Sequence, residues 1–257
     1  MELVIAIISA VVAVISTCIA VLGQIKLARI QGEREEARDR RQHERQAAQL
    51  LSKYREPLAR AAFELQSKLF NILNLGLLKN YYVSGDANEK EYALQNTLYV
   101  VAQYFAWNEI ILREIEFLDV GEVEATRRLV ELNEAIVLLF LTHRYGSVFR
   151  VFRGEQRAIG DKMISIENGN RVCLGYATFV ENQSDDFRRW FRKLNQDLIL
   201  LSEDLEQHAE RLVRIQNAII DLLDYLDPDC IRFGKPYRTK AELDNSLTKT
   251  TRIVRER

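Results

Sequence analysis

Hydrophobic and polar positions divide the chain into three stretches of different character. Residues 3–22 carry no charge and are almost all Val, Ile, Ala or Leu. Residues 31–46 contain almost no apolar side chain. From residue 57 onward, apolar side chains return at intervals of three and four residues, which is typical of amphipathic helices. The pattern predicts a mainly α-helical protein whose three stretches have different environments.

The first stretch has the length and composition of a membrane-spanning helix. About 20 apolar residues, at about 1.5 Å each, cross the roughly 30 Å hydrocarbon core of a bilayer. A secretory signal peptide begins with basic residues, whereas this chain begins with Met1 and Glu2. We therefore expect residues 1–23 to form an N-terminal transmembrane anchor, with the lipid bilayer as its first partner.

Basic residues follow the predicted anchor, and none precedes it. By the positive-inside rule, this asymmetry places the N-terminus outside and the rest of the chain in the cytoplasm. The short anchored architecture favours the inner membrane of a bacterium. The basic residues are Lys26, Arg29, Arg34, Arg38, Arg40, Arg41 and Arg45.

Small side chains recur along one side of the predicted anchor. Such a stripe lets two membrane helices approach closely, so self-association into a homo-oligomer is one expectation. The alternative is that alanine is simply common in membrane helices. The stripe consists of Ala6, Ala10, Ala13, Thr17 and Ala20.

A charged helical stalk is expected at residues 24–52. Opposite charges lie four residues apart there, as at Glu36 and Arg40, which stabilises a solvated helix. Apolar a and d positions are missing, which excludes a two-stranded coiled coil. Gly32 is a possible break in this helix. The basic residues could also contact anionic lipid headgroups, although a solvated spacer is the simpler interpretation.

Residues 53–238 are expected to fold as a cytoplasmic helical bundle. Pro57 suits the first turn of a new helix, and the apolar stripe that follows it has helical period. The expected helices are 57–73, 89–118, one beginning after Gly121, and 148–159.

One small β-hairpin is predicted within the bundle. The pair Asn168-Gly169 supplies the positive φ angles of a type I′ turn, and apolar residues alternate on both sides of it. The alternating residues are Ile164, Ile166, Val172, Leu174 and Tyr176.

A long final helix is expected between Ser184, a candidate N-cap, and Asp227-Pro228. Its apolar positions follow 4-3 spacing, and His208 occupies one polar position. The other amphipathic helices favour packing within the chain over packing against a partner. Residues 239–257 are polar, basic and aperiodic, which predicts a disordered tail. The apolar seam comprises Leu194, Leu198, Leu201, Leu205, Leu212, Ile215, Ile219, Leu222 and Leu226.

Composition and motifs restrict the kinds of binding and catalysis that the chain could perform. Lys and Arg number 36 against 37 Asp and Glu, so no net field would recruit nucleic acid. The three cysteines and three histidines are widely separated and lack metal-ligand spacing. Nucleophile-elbow, P-loop, zinc-protease and dinucleotide motifs are missing. We predict no cofactor and no metal, and a non-enzymatic function is favoured.

Three arginines form the candidate site. On the predicted helix, Arg150, Arg153 and Arg157 share one face and could bind a phosphate or carboxylate group bidentately. The alternative is a surface whose charges are paired internally, with Glu155 the nearest partner in sequence.

Basic and aromatic residues also alternate at 187–193. This composition suits nucleic-acid stacking, but the spacing of the aromatic residues is that of a buried helix face, which is the favoured interpretation. The apolar members of the face are Phe187, Trp190, Phe191 and Leu194.

Together these features predict a single-pass membrane protein whose cytoplasmic bundle is an interaction or regulatory module with a protein partner. One alternative is a tethered sensor or effector that binds a nucleotide or another phosphate-bearing ligand through the arginine cluster. Another is an enzyme with an unfamiliar site.

Overall fold

The computed structural model describes residues 1–116, 124–182 and 184–242. Within its helices, the structure does not describe the side chains of residues 2–15, 18–20, 47, 50–51, 115–116 and 124–126. The chain divides into two compact units, Met1–Ala48 and Gln49–Arg257.

The first unit is a single helical segment that belongs to α1 (Glu2–Asn74). This helix passes Gly32 without a break and contains Pro57 in its interior, so the prediction of a new helix at Pro57 is wrong. An interior proline removes one backbone hydrogen bond. The helix continues because side chains on both sides of the proline, including Tyr54 and Leu58, are buried in the same core.

Of the predicted anchor, residues 1–23, all but Met1 lie in this helical backbone. Among the described residues, no helix combines the length and hydropathy needed to cross a membrane. In the predicted small-residue stripe, Thr17 is described, whereas the side chains of Ala6, Ala10, Ala13 and Ala20 lie outside the described part. The anchor and its self-association therefore stay predictions.

The second unit contains the end of α1 and a series of shorter helices, which confirms the mainly helical prediction. A π-helical segment at Leu78–Val83 follows α1, and a 3-10 turn lies at Lys235–Tyr237. The expected start after Gly121 lies outside the described residues. The helices are α2 (Ala87–Glu116), α3 (Glu124–Leu141), α4 (Arg153–Lys162), α5 (Tyr176–Glu181), α6 (Asp185–Arg188), α7 (Arg192–Glu203) and α8 (Leu205–Leu226).

The hairpin is confirmed. Strands β1 (Ile164–Glu167) and β2 (Asn170–Cys173) pair antiparallel. Asn168 and Gly169 have φ angles of 50° and 77°, the left-handed conformation that their turn requires. Tyr176, expected on the second strand, instead opens α5, because the chain leaves the two-stranded ladder after Cys173.

The predicted single helix from residue 184 to 226 is divided into α6, α7 and α8. Ser184 is the N-cap of α6, as expected, but its side chain makes no cap hydrogen bond. Asp204 separates α7 from α8, and its Oδ1 accepts a hydrogen bond from the backbone N–H of Gln207 at 3.0 Å. An aspartate cap of this kind offers the backbone an alternative to a continuous helix.

Close packing of α2 against α4, and of α3 against α8, positions the candidate site. At Gly160 of α4, an added Cβ atom would lie 2.6 Å from the carbonyl oxygen of Phe105 on α2, so only glycine permits this approach. Phe187, Phe191 and Leu194 are buried, and Trp190 is partly buried against the same core, which confirms the core interpretation of this segment.

The start of the predicted tail is ordered against α8. The backbone N–H of Ala241 donates to Gln216 Oε1 at 2.9 Å, and Gln216 Nε2 donates to the carbonyl of Thr239 at 2.9 Å. Gln216 is fully buried, so these residues satisfy a polar group of the core. The sequence did not predict this contact, and residues 243–257 lie outside the described part.

Candidate functional site

A pocket of about 90 Å³ is lined by residues of α2, α3 and α4. Arg153 and Arg157, two members of the predicted anion site, belong to its lining. The polar lining residues are Asn108, Glu109, Arg153, Gln156 and Arg157, and the apolar ones are Phe105, Leu112 and Val137.

The start of α4 decides which arginines reach this pocket. The Glu155 carboxylate accepts a hydrogen bond from the backbone N–H of Phe152 at 2.8 Å and so caps the helix. The helix therefore begins at Arg153 and not at residue 148 as expected. Arg150 precedes it, with its guanidinium 5.1 Å from the Phe152 ring, and the three arginines do not share one helical face.

Glu109 is the buried carboxylate of the pocket, with a side chain only 2% exposed. It accepts hydrogen bonds from Arg157 Nε at 3.1 Å and Nη2 at 3.2 Å, and from Arg113 Nε at 2.9 Å. These donors compensate a charge that would otherwise be costly to bury. Arg113 also contacts Asp161 at 2.7 Å, and its hydrogen bond to Glu109 raises the pKa of Arg113.

Arg153 pairs with Glu134 of α3 through two hydrogen bonds, one of which joins Nη1 to Oε2 at 2.9 Å. The hydrogen bond from Arg153 lowers the pKa of Glu134, and the same bond raises the pKa of Arg153. Pairing within the chain is therefore observed, but the partner of Arg153 is Glu134 and not Glu155. Binding of an external anion by Arg150, Arg153 and Arg157 stays a prediction.

Two buried amides complete the pocket, and nothing in the sequence distinguished them from ordinary polar residues. Gln156 is 4% exposed and Asn108 is 7% exposed. Gln156 Nε2 donates to the carbonyls of Val137 and Val151, which fixes the orientation of the amide. Within the described part of the chain, Gln156 Oε1 and Asn108 Oδ1 have no hydrogen-bond partner. A buried acceptor without a donor is unfavourable, so these two amides lower the stability of the packing around the pocket.

A second polar feature lies at the loop between α3 and α4, and the sequence did not reveal it. Arg211 of α8 is completely buried and donates to five backbone carbonyls. Burial lowers the pKa of Arg211 to about 10, with a further contribution from the positive charge of Arg150, so the guanidinium remains charged at neutral pH. The accepting carbonyls are those of Leu139, Phe140, Thr142, Gly146 and Val148.

The same loop is held from α7. Asp197 accepts a hydrogen bond from the backbone N–H of Phe149 at 2.9 Å. Phe149 has a positive φ of 57°. Lys193 contacts Asp197 and also donates to the carbonyl of Ser147 at 3.0 Å. The loop that leads into α4 is thus fixed by buried charged groups on two other helices.

Groups suited to covalent or metal chemistry are few. Burial raises the pKa of the Cys173 thiol to about 12, which keeps it protonated and unreactive at neutral pH. In the part of the chain that the structure describes, no three His, Cys, Asp or Glu residues are placed to hold a metal ion. Two larger and more open grooves are present, of about 380 Å³ beside Tyr92 and about 540 Å³ beside Trp107.

Comparisons with known proteins give no family for this chain. It matches no protein-family model, no curated protein and no solved structure.

Proposed function

We propose that this chain is a single-pass membrane protein whose helical second unit is an interaction or regulatory module at the cytoplasmic face. The observation that carries the proposal is the uncharged apolar run at residues 3–22, which basic residues follow and none precedes. In the second unit, the later part of α1 contributes residues such as Leu58 and Leu65 to the buried core.

A binding role is supported by what the second unit offers. It carries two open grooves, of about 380 Å³ beside Tyr92 and about 540 Å³ beside Trp107. The tether would act by position, because confinement to a membrane raises the effective concentration of the module toward membrane partners. Regulation would then consist of recruiting or releasing such a partner.

The experiment is alkaline extraction of membranes from cells that express either the full chain or a chain without residues 1–23. We expect the full chain to remain in the membrane pellet and the shortened chain to be released. A matched control replaces residues 1–23 with an unrelated single-span helix. If the second unit provides the interaction, the control keeps the cross-linked partners of the full chain. Release of the full chain would refute the anchor, and loss of the partners in the control would refute the module.

A second candidate function is regulation of the module by a small ligand. The specific observation in its favour is that two arginines of α4, Arg153 and Arg157, line a pocket between three helices, and that Arg153 is 48% exposed. A ligand in this pocket would contact α2, α3 and α4 together, and so would bias their packing. Saturable stabilisation of the full chain by a small molecule, with loss of the effect in a pocket variant, tests this candidate.

A further inference from the structure

The open groove beside Tyr92 lies between the first turns of α2 and the short helix α5. We call it the tyrosine groove, because Tyr92 of α2 and Tyr176 of α5 both line it. Each wall is one face of its helix, so the side chains along the groove are directed toward a common space. The lining residues are Asn88, Glu91, Tyr92, Gln95, Tyr176, Ala177, Val180 and Glu181.

Two carboxylates of the tyrosine groove have no basic partner. Glu91 and Glu181 are exposed, and within the described part of the chain neither side chain forms a salt bridge or a hydrogen bond. The local sequence cannot neutralise them, because no Lys or Arg lies three or four residues from either one. Carboxylates at the other pocket are paired with arginines, as Glu134 is with Arg153. A basic group from outside the chain would therefore meet no internal competitor at Glu91 and Glu181.

Two basic residues contact the lining of the groove, and both have other partners. Arg188 donates to Gln95 Oε1 at 2.9 Å and to three backbone carbonyls at the end of α5, all of which are uncharged. The Lys68 ammonium lies 5.6 Å from the centre of the Tyr92 ring. Burial lowers the pKa of Lys68, and the nearby carboxylate of Glu64 acts in the opposite direction. These contacts direct Arg188 and Lys68 toward groups other than the two glutamates of the groove.

Tyrosine rings are the second feature of the groove. Tyr92 is 53% exposed, and Tyr176 is held edge-to-face against Tyr99 with ring centres 5.3 Å apart. Burial raises the pKa of Tyr176, and Tyr92 and Glu91 contribute to the shift, so residues of the two walls lie close to one another. The face of a tyrosine ring attracts ammonium and guanidinium groups, and tyrosine is enriched in protein interfaces. The groove thus combines aromatic surface with unneutralised negative charge.

The length of the groove suits a stretch of polypeptide. Along α2 the lining extends from Asn88 to Gln95, which at about 1.5 Å per residue is about 10 Å. An extended chain covers this distance with about three residues at about 3.3 Å each. Glu91 and Glu181 belong to opposite walls, and successive side chains of an extended segment point in opposite directions, so one segment can reach both.

We propose that the tyrosine groove binds an extended segment of a partner protein that carries arginine or lysine side chains. Glu91 and Glu181 would accept charge-assisted hydrogen bonds from these side chains, and the tyrosine rings would pack against them. The proposal rests on the proposed function of the second unit as an interaction module, and it adds the site and the chemistry of the partner.

The test is fluorescence anisotropy of the full chain in nonionic detergent with a labelled peptide of alternating arginine and serine. A reference peptide carries glutamine in place of each arginine, and spermidine serves as a small competing cation. The groove variant combines Glu91→Gln with Glu181→Gln. Its matched control combines Glu167→Gln with Glu203→Gln, which removes the same charge from exposed residues of β1 and α7 outside the groove. Circular dichroism verifies that each variant is folded.

A second pair of variants tests the aromatic surface. Tyr92→Leu removes a ring and keeps an apolar side chain. Its control is Tyr81→Leu, because Tyr81 is also an exposed tyrosine and lies in the π-helical segment outside the groove.

We expect saturable binding of the arginine peptide, weakened about tenfold or more in the groove variant and about threefold in Tyr92→Leu. Both controls should bind as the unmodified chain does, and the glutamine peptide should not bind. Equal weakening in the groove variant and its control would reveal only a general attraction between charges and would overturn the proposal. Absence of binding, or full binding by the groove variant, would also overturn it.

Spermidine separates a protein segment from a small cation. If spermidine displaces the peptide at an equal concentration, the groove is a site for small cations and the proposal is wrong. The membrane extraction and the anchor replacement described above do not involve the groove. The proposed function can therefore stand when the peptide fails to bind, and the two failures are distinguishable.

Discussion

Arg211 provides the sharpest test of how the second unit is held together. The perturbation is Arg211→Met, which keeps most of the side-chain volume and removes the hydrogen bonds to the end of α3 and to the α3–α4 loop. Of the five accepting carbonyls, that of Phe140 also accepts from the Val151 N–H, and that of the exposed Gly146 can be rehydrated. Three carbonyls therefore lose their donor without an obvious replacement.

The expected loss follows from these three groups. An acceptor left without a donor costs about 1–3 kcal/mol, and the lower value applies where water has partial access, as at Thr142 and Leu139. The Val148 carbonyl belongs to a buried residue, so the loss of its donor costs closer to the upper end of this range. We expect Arg211→Met to lower the free energy of unfolding by about 3–5 kcal/mol, a large part of the roughly 5–15 kcal/mol typical of a domain.

Urea unfolding followed by tryptophan fluorescence measures this loss in the full chain. Both tryptophans, Trp107 and Trp190, lie in the second unit, so the signal reports on it alone. The matched control is Arg214→Met, because Arg214 lies one turn along α8, is partly exposed and pairs with Glu210. The control should lose less than about 1 kcal/mol. Equal stability of the two variants would refute the structural role assigned to Arg211.

Three further predictions concern other parts of the second unit. Gly160→Ala should lower the free energy of unfolding in urea by about 1–3 kcal/mol, because its Cβ would lie 2.6 Å from the Phe105 carbonyl oxygen. The control is Gly154→Ala, whose Cβ meets nothing within 4 Å and which should be neutral or stabilising. Equal effects of the two substitutions would contradict the close approach of α4 to α2. Although burial opposes its ionisation, backbone N–H donors and a neighbouring arginine lower the pKa of Asp227. Its stabilising contribution is therefore complete above about pH 4 and is lost as the pH falls through the folded-state pKa. The thermal midpoint of Asp227→Asn should then fall less than that of the unmodified chain on acidification, and parallel profiles would refute the assignment. Cys173, with its pKa raised to about 12, should react slowly with iodoacetamide in the native protein and quickly in urea. Mass spectrometry follows the labelling of this residue. Rapid labelling in the native protein would contradict the burial of the thiol.

Local signals account for the elements that were predicted correctly. The hairpin follows from Asn168-Gly169, because few residue pairs adopt two successive positive φ angles without strain. The helical spacing of Phe187 and Phe191 correctly indicated that both are buried, although α6 ends at Arg188 and α7 begins at Arg192. In both places the residues that carry the signal are close together in sequence.

The wrong predictions of helix boundaries lie where local and tertiary effects compete. Pro57 is normally unfavourable inside a helix, but burial on both sides of it in α1 outweighs the lost hydrogen bond. Asp204 has the opposite effect, because its cap on Gln207 interrupts a seam whose apolar spacing is unbroken. The spacing of Asp204 and Gln207 resembles a capping box and could have indicated this boundary.

The candidate site depends on contacts that are distant in sequence. The hydrogen bonds of Arg211 join residues 63 to 72 positions apart, and Arg157 meets Glu109 across 48 positions. Periodicity gives no information about such pairs. The prediction of an arginine cluster therefore found two lining residues of the pocket, Arg153 and Arg157, but neither their carboxylate partners nor the amides beside them.

The orientation of the chain in a membrane tests the central proposal most directly. In a variant without native cysteines, a single cysteine is introduced either by Glu2→Cys at the N-terminus or by Arg128→Cys on the exposed surface of the second unit. Intact cells are then treated with a membrane-impermeant maleimide. The proposal predicts labelling at position 2 in intact cells and at position 128 only after permeabilisation. Labelling at position 128 in intact cells would contradict the cytoplasmic placement of the module.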